Sequence, residues 1–284
     1  MAITVFRTSA FSYQNKGGNE AGVVFDTEAL TTEQMLQVAQ RVGYSETAFL
    51  FPSTVADYKL RYFTPTVEVP LCGHATIAAF NLMRNLGHIS PSKITIETDA
   101  GILDLCVDEH IVTLTLPNAE FGEIIEPKVV TQALGIDMSQ LLSTPLQSVS
   151  TGVKELFIGF KTREDLHRLA FSEADIITLC QRLNIEGVYC YTLETIDPNH
   201  HAQSRNFLPL FGIYEESATG TAAGAFAAYL NRYVFTTDTA FIIEQGHSMQ
   251  KPSLLYASVT PDIRVGGAMR FIDKIIGFKI DTEA

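Results

Sequence analysis

The stretch Leu71-Cys72-Gly73-His74-Ala75-Thr76-Ile77-Ala78-Ala79-Phe80 returns, altered, as Ser217-Ala218-Thr219-Gly220-Thr221-Ala222-Ala223-Gly224-Ala225-Phe226. The pattern Arg-x-Phe-x-Pro precedes each copy, as Arg61-Tyr62-Phe63-Thr64-Pro65 and as Arg205-Asn206-Phe207-Leu208-Pro209. Arg205 follows Arg61 by 144 residues and Phe226 follows Phe80 by 146, so the second loop is two residues longer. The proline ends an extended run, because it has no N–H for a ladder. Gly73 and Gly220 let the backbone turn and let a ligand come close. The segments that follow, Ala75–Met83 and Thr221–Leu230, are apolar on nearly every side. That predicts two helices buried all round, both far too short to span a bilayer. Each helix start exposes N–H groups with a positive end potential, which suits an anion. Two such starts predict an anion held in a cleft near Gly73–Ala75 and Gly220–Thr221, although two ligand-free core helices would leave the same pattern.

Working outward, the repeat extends over the whole chain. Thr31 with Gln34 forms a capping box for a helix over Glu33–Val42 that Gly43 stops. Ser172 with Asp175 opens its counterpart, and Gln40-Arg41-Val42-Gly43 matches Gln181-Arg182-Leu183-Asn184 at an offset of 141. A strand follows in each half, Tyr44–Phe51 and Gly187–Tyr191. Ile94–Asp99 matches Phe241–Gln245, and Leu103–Val107 matches Leu254–Ser258. Near the N-terminus a strand at Ile3–Arg7 leads to a Gly-rich stretch, Gln14 to Gly22, and a strand at Val23–Asp26. The stretch lacks the strand–GxGxxG–helix order of a dinucleotide site and has no Walker lysine. The expected fold class is α+β, with two pseudo-symmetric domains, each a barrel-like mixed sheet around a central buried helix. The expected domains are residues 1–118, with 271–284 able to return to them, and 119–270. The boundary rests on the cluster Pro117, Gly122 and Pro127.

Composition narrows the function. The 284 residues are 46% hydrophobic and 18% charged, which is globular. A formal net charge of −12 argues against nucleic acid or an anionic membrane as partner, so local dipoles must hold any small anionic substrate. Cys72, Cys106, Cys180 and Cys190 have neither C-x-x-C nor metal spacing, which predicts free thiols, no metal and a cytoplasmic setting. The first residues show no charged leader followed by an apolar run.

Glu46 stands where the repeat has Gly187, and it is read as the one carboxylate in the repeat pairing that stands alone at the start of an apolar strand. Partial burial there would raise its pKa toward a useful acid/base value; an exposed strand-end glutamate fits the same letters. His74 suits a helix cap or core as well as a ligand contact. Asn19 suits a polar contact or the turn of its Gly-rich stretch. Glu216 suits a helix start.

The combination of Gly18-Asn19-Glu20-Ala21-Gly22-Val23-Val24, Ser45-Glu46-Thr47-Ala48-Phe49-Leu50, Leu71-Cys72-Gly73-His74-Ala75-Thr76, Glu215-Glu216-Ser217-Ala218-Thr219-Gly220-Thr221-Ala222 and Glu244-Gln245-Gly246 resembles the phenazine-biosynthesis PhzF family, of diaminopimelate-epimerase-like fold, over essentially the full chain. The resemblance implies a cofactor-independent isomerase, a homodimer, and an active site in the cleft between two domains. It places the catalytic carboxylate on Glu46 and a substrate-contacting histidine on His74. It sets Glu216 and Thr221 where the family commonly has Asp and Ser, each one carbon larger. Asn19, Gly73, Ala75, Gly220 and Thr221 are the expected substrate contacts, and Glu46, His74 and Glu216 the expected catalytic set. Racemases of this fold use two thiols, one before each helix. Cys72 matches the first position, but the second falls on Ala218, which carries no proton. That disfavours a two-thiol amino-acid racemase or epimerase and leaves Cys72 a small packing residue. A non-catalytic small-molecule binding protein on the same fold is the third class.

Overall fold

The computed structural model describes residues 2–279. Contacts divide the chain into two compact units, Met1–Thr115 with Gly266–Ala284, and Leu116–Val265. Each is built by the same succession of pairings.

In the first unit β1 (Ala2–Ala10) pairs antiparallel with β2 (Asn19–Val24). Helix α1 (Thr32–Val42) crosses over to β3 (Glu46–Phe51), which runs parallel to β2. β4 (Tyr58–Phe63) is antiparallel to β3, and a short β5 (Glu68–Val69) folds back on it. Helix α2 (Gly73–Asn85) crosses to β6 (Ser92–Thr98), parallel to β4, and β7 (Gly101–Val107) and β8 (Val112–Thr115) continue antiparallel. Helix α2 is buried from His74 to Met83. It packs on β1, β2, β3, β7 and β8, so the sheet surrounds it. That is the packing expected of a helix with no polar face.

The second unit adds β9 (Glu120–Ile124), α3 (Pro127–Leu134), β10 (Gln147–Ser150), β11 (Lys154–Phe160), α4 (Arg163–His167), α5 (Glu173–Leu183), β12 (Gly187–Thr192), β13 (Ala202–Leu208), β14 (Ile213–Glu216), α6 (Gly220–Tyr233), β15 (Ala240–Gln245) and β16 (Ser253–Ser258). β10–β11 is antiparallel, β11–β12 parallel, β12–β13 antiparallel, β13–β15 parallel and β15–β16 antiparallel. This is the succession of β1–β2–β3–β4–β6–β7. Phe226 and Tyr229 of α6 pack on Phe157, Tyr189 and Tyr191, with Phe157 and Phe226 stacked at 5.6 Å. The chain closes with β17 (Arg264–Gly267) and β18 (Met269–Lys279), and β18 pairs antiparallel with β1. Of the tail 271–284 expected to be able to return to the first domain, residues 280–284 lie outside the described residues.

The repeated Arg-x-Phe has one physical role in both units. Arg61 Nε and Nη2 fork the Glu68 carboxylate at 2.6 and 2.7 Å, and its guanidinium lies 5.2 Å over the Phe63 ring. Arg205 forks Glu215 at 2.9 and 2.8 Å and lies 4.9 Å over Phe207. Bidentate pairing with stacking is what guanidinium geometry favours. Arg205 Nη1 also donates to the carbonyls of Leu166, His167 and Leu169.

Two local expectations need correction. The Gly-rich stretch was read as running on to Gly22 before its strand, but β2 already starts at Asn19. Its small residues are required by close approach. A Cβ on Gly22 would lie 2.6 Å from Thr47 Oγ1, and Gly18, at φ +83°, sits under the Ala10 carbonyl. The second correction concerns capping. Thr31 and Gln34 make the predicted box, and Gly43 ends α1 in the left-handed region. Ser172 precedes α5 as predicted but makes no side-chain cap; the Asp175 and Ile176 N–H groups donate to its carbonyl instead.

Candidate active site

In the first unit the predicted residues converge on one imidazole. Cys72 is the last extended residue before α2, and its side chain does not cap the helix. Two residues on, the His74 ring is brought beside the starts of β2 and β3. His74 Nδ1 lies 3.4 Å from Asn19 Nδ2 and 3.4 Å from Cys72 Sγ. His74 Nε2 lies 3.2 Å from Glu46 Oε2 and 3.4 Å from Ser45 Oγ. With an amide and a thiol donating to Nδ1, the neutral ring carries its proton on Nε2, the nitrogen bonded to Ser45 Oγ and lying near Glu46.

Glu46 is the first residue of β3 and is about four-fifths covered, with 18% of its side chain exposed. Its Oε2 is enclosed, and no hydrogen bond of normal geometry reaches it. The Nε2 contact at 3.2 Å has the distance of such a bond but not its direction. An enclosed carboxylate oxygen without a partner is costly, and it is placed to accept a proton. Cys72, 7% exposed, lies with its sulfur against that ring. Glu46, Cys72 and His74 also place three donor atoms within 4.8 Å of one another, the one such metal-capable trio among the described residues.

Gly73 opens α2 with empty space where a Cβ would sit, and no acidic residue stands in the first turn. The start of this buried helix thus carries no side-chain cap, a setting whose N–H groups suit an anion. Ala75, buried, follows in the same turn.

In the second unit Glu216 ends β14, directly before the α6 turn. Thr219 donates its hydroxyl to the Glu216 carboxylate instead of capping α6, whose start therefore also lacks a side-chain cap. Gln245 Oε1 accepts from Thr219 N, while its Nε2 donates to the Glu216 carbonyl at 2.9 Å. Gly220 and Thr221 are the first residues of α6, and the Thr221 carbonyl accepts from Thr151 Oγ1.

Sequence reading missed four polar residues here. Ser45 and Thr219 stood inside quoted motifs, as did Gln245. Glu155 did not: it is fully buried at the start of the apolar strand β11. Glu155 lay outside the repeat pairing in which Glu46 was singled out, and it too stands at the start of an apolar strand. Burial pushes the Glu155 carboxyl up to about 8.

Comparison with known proteins agrees with this architecture. The sequence model of the family described as phenazine biosynthesis-like protein, PhzC-PhzF, matches residues 8–270. An uncharacterized isomerase of Clostridium acetobutylicum is 32% identical over 272 residues, covering 91% of this chain and 90% of that protein. The trans-2,3-dihydro-3-hydroxyanthranilate isomerase of Pseudomonas aeruginosa is 27% identical, covering 87% of each. A crystal structure of a Bacillus anthracis phenazine biosynthesis protein of the PhzF family superposes with a TM-score of 0.87 at 30% identity, over 97% of this chain and 98% of that one. The molecule is thus an isomerase built on an α+β fold. The chain belongs to the phenazine biosynthesis-like family. Among the described residues no helix is long and apolar enough to cross a membrane.

Proposed function

We propose that the enzyme moves a proton on a small carboxylated substrate, with Glu46 as the single acid/base group. The observation that carries this is the enclosed, unpartnered Glu46 Oε2 beside His74 Nε2. In the reaction, Glu46 takes a proton from a carbon next to an unsaturated, carboxylated system. It then returns that proton to another carbon of the same system, on the same face. One C–H bond breaks, one forms, a double bond shifts, and no electrons leave the substrate. The delocalised anion between the two steps is stabilised by the N–H groups at the start of α2 and by the Nε2–H of His74. Asn19 fixes the ring's tautomer, and Gly73 and Ala75 leave room for the substrate at the turn. Glu216, Gly220 and Thr221 supply substrate contacts, with Glu216, held by Thr219, suited to a substrate amine. The Pseudomonas relative is named for isomerising a dihydro-hydroxyanthranilate, which has both an amine and a carboxylate. No cofactor is needed for such a shift, and the enzyme works as a cytoplasmic homodimer; four free thiols fit that compartment.

The test is a pair of variants. Glu46→Gln keeps the shape and loses the proton acceptor. It should bind substrate nearly as wild type and lower kcat by about 10²–10⁴. Cys72→Ala should cost less than about tenfold. Near-normal turnover by Glu46→Gln would sink the proposal. A dead Cys72→Ala beside it would move the chemistry to the thiol.

A further inference from the structure

The parallel strand pair that carries Glu46 has a counterpart. On β2 and β3, Ala21 stands opposite Glu46. On β11 and β12, Glu155 stands opposite Gly187. Gly187 is the residue that replaces Glu46 in the repeat, so each unit has one carboxyl on this rung, transposed to the neighbouring strand in the second. Gly187 makes the transposition possible. A Cβ built on it would lie 3.5 Å from Glu155 Cγ, so the Glu155 side chain runs alongside the bare glycine.

Glu155 has no solvent exposure, and neither has Asn206. Asn206 Nδ2 donates to Glu155 Oε1 at 3.4 Å. The other two polar atoms of these groups, Glu155 Oε2 and Asn206 Oδ1, are both buried without a partner. With Glu155 ionised, both atoms are acceptors and neither is satisfied. One proton on Glu155 Oε2 answers for both, since it makes that atom a donor toward Asn206 Oδ1. The acid and the amide then form a closed ring of two hydrogen bonds. Asn206 in turn stands opposite Glu216 across β13 and β14.

We propose that Glu155 is a protonated positioning acid, which locks Asn206 in a cyclic acid–amide pair and, through that rung, sets the Glu216 carboxylate. The Glu216 part rests on the reading of Glu216 as a substrate contact; the acid–amide pair does not. Its surroundings favour the proton. The ionisable groups that act on Glu155 or feel it are Glu216 on β14, Glu186 just before β12, Tyr189 on β12 and Cys180 on α5, all acids. Burial is the first cause of its raised pKa, and the Glu216 and Glu186 charges add to it.

The sign of the pH effect follows. The unfolded chain releases this proton near 4.5, while the folded protein keeps it to about 8. Between these values the native state binds the extra proton, so its stability falls as pH rises through the window.

The test compares wild type, Glu155→Gln and Glu155→Leu. Infrared difference spectra of wild type against Glu155→Gln should show a protonated-carboxyl stretch at pH 6–7 that titrates away around pH 8. Raising the pH from 5 to 9 should lower the wild-type Tm relative to Glu155→Gln by several degrees, because glutamine keeps a donor and an acceptor without ionising. Glu155→Leu strands the Asn206 amide; it should raise KM about tenfold or more, and Glu155→Gln should restore it. Absence of the carboxyl band, or a Glu155→Gln variant less stable than wild type at pH 9, would overturn the acid–amide pair. A Glu155→Leu variant with normal KM would overturn its link to Glu216. If Glu216→Gln leaves KM unchanged while band and Tm difference persist, the reading of Glu216 fails and the pair stands.

Discussion

The turns before the two buried helices come from one repeated pattern and have diverged in opposite ways. Before α2, the chain spends its polar groups on a reactive cluster: Cys72, His74, Ser45 and Glu46 within hydrogen-bond distances, with one carboxylate oxygen left unpartnered. Before α6, it spends them on mutual restraint. Glu216 is held by Thr219, Thr219 by Gln245, and Gln245 by the Glu216 carbonyl. Copies of one scaffold can thus separate reactivity from rigidity, because the backbone preserved by the repeat leaves side chains free to be reassigned.

The largest test of this contrast is the pair of stacked arginines. The Arg205 and Glu215 side chains are 7% and 9% exposed, whereas Arg61 and Glu68 are 23% and 24% exposed. Removing Arg205 strips the nearly buried Glu215 carboxylate of its charged partner and takes a donor from three carbonyls, so Arg205→Ala should cost about 3–5 kcal/mol in denaturant unfolding. Arg61→Ala should cost about 1 kcal/mol. Equal costs would break the claim that the second unit is the more tightly restrained.

A middle-sized effect concerns the rung shared by Glu46 and Gly187. A Cβ at Gly187 would come within 2.5 Å of Leu208 Cδ2 and 2.9 Å of the Phe207 carbonyl. Gly187→Ala should therefore destabilise by about 1–3 kcal/mol. Glu46→Ala should leave the Tm nearly unchanged while removing activity. If Gly187→Ala is silent, the second unit has room for a side chain that its packing says is absent.

The smallest effect separates the two amphipathic helices. Thr31 accepts from Gln34 N and so caps α1, whereas Ser172 makes no such bond. Thr31→Ala should cost about 1 kcal/mol. Ser172→Ala should cost a few tenths, and a thermal melt of each variant would show the ranking.

How far the sequence alone reached depends on what kind of relation was sought. Offsets between 141 and 151 identify equivalent elements, and β3 and β12 do begin at Glu46 and Gly187. Helix burial was legible because neither α2 nor α6 has a polar face. The Glu155 carboxyl was not legible, because comparing positions along the chain cannot show that a side chain has moved to the adjacent strand. Its letters, Lys154-Glu155-Leu156-Phe157-Ile158, repeat the carboxylate-then-apolar pattern of Glu46, and that was the signal available. Asn19 was legible as polar but not as a strand residue, since a run of glycines reads as a turn until the neighbour it must approach is known. The arginine fork was equally hidden, because Glu68 and Glu215 lie at unequal distances after their arginines, 7 and 10 residues.

The pairing of β1 with β18 has a consequence for how the protein comes into being. Arg7 binds Asp273 across 266 residues of chain. On the ribosome, the first unit emerges early but lacks its edge partner until β18 has been made. The second unit is one uninterrupted segment and can complete its pairings beforehand. The half made first is thus the half finished last, and a polypeptide truncated before Met269 should leave β1 with an open edge, prone to pair with another chain.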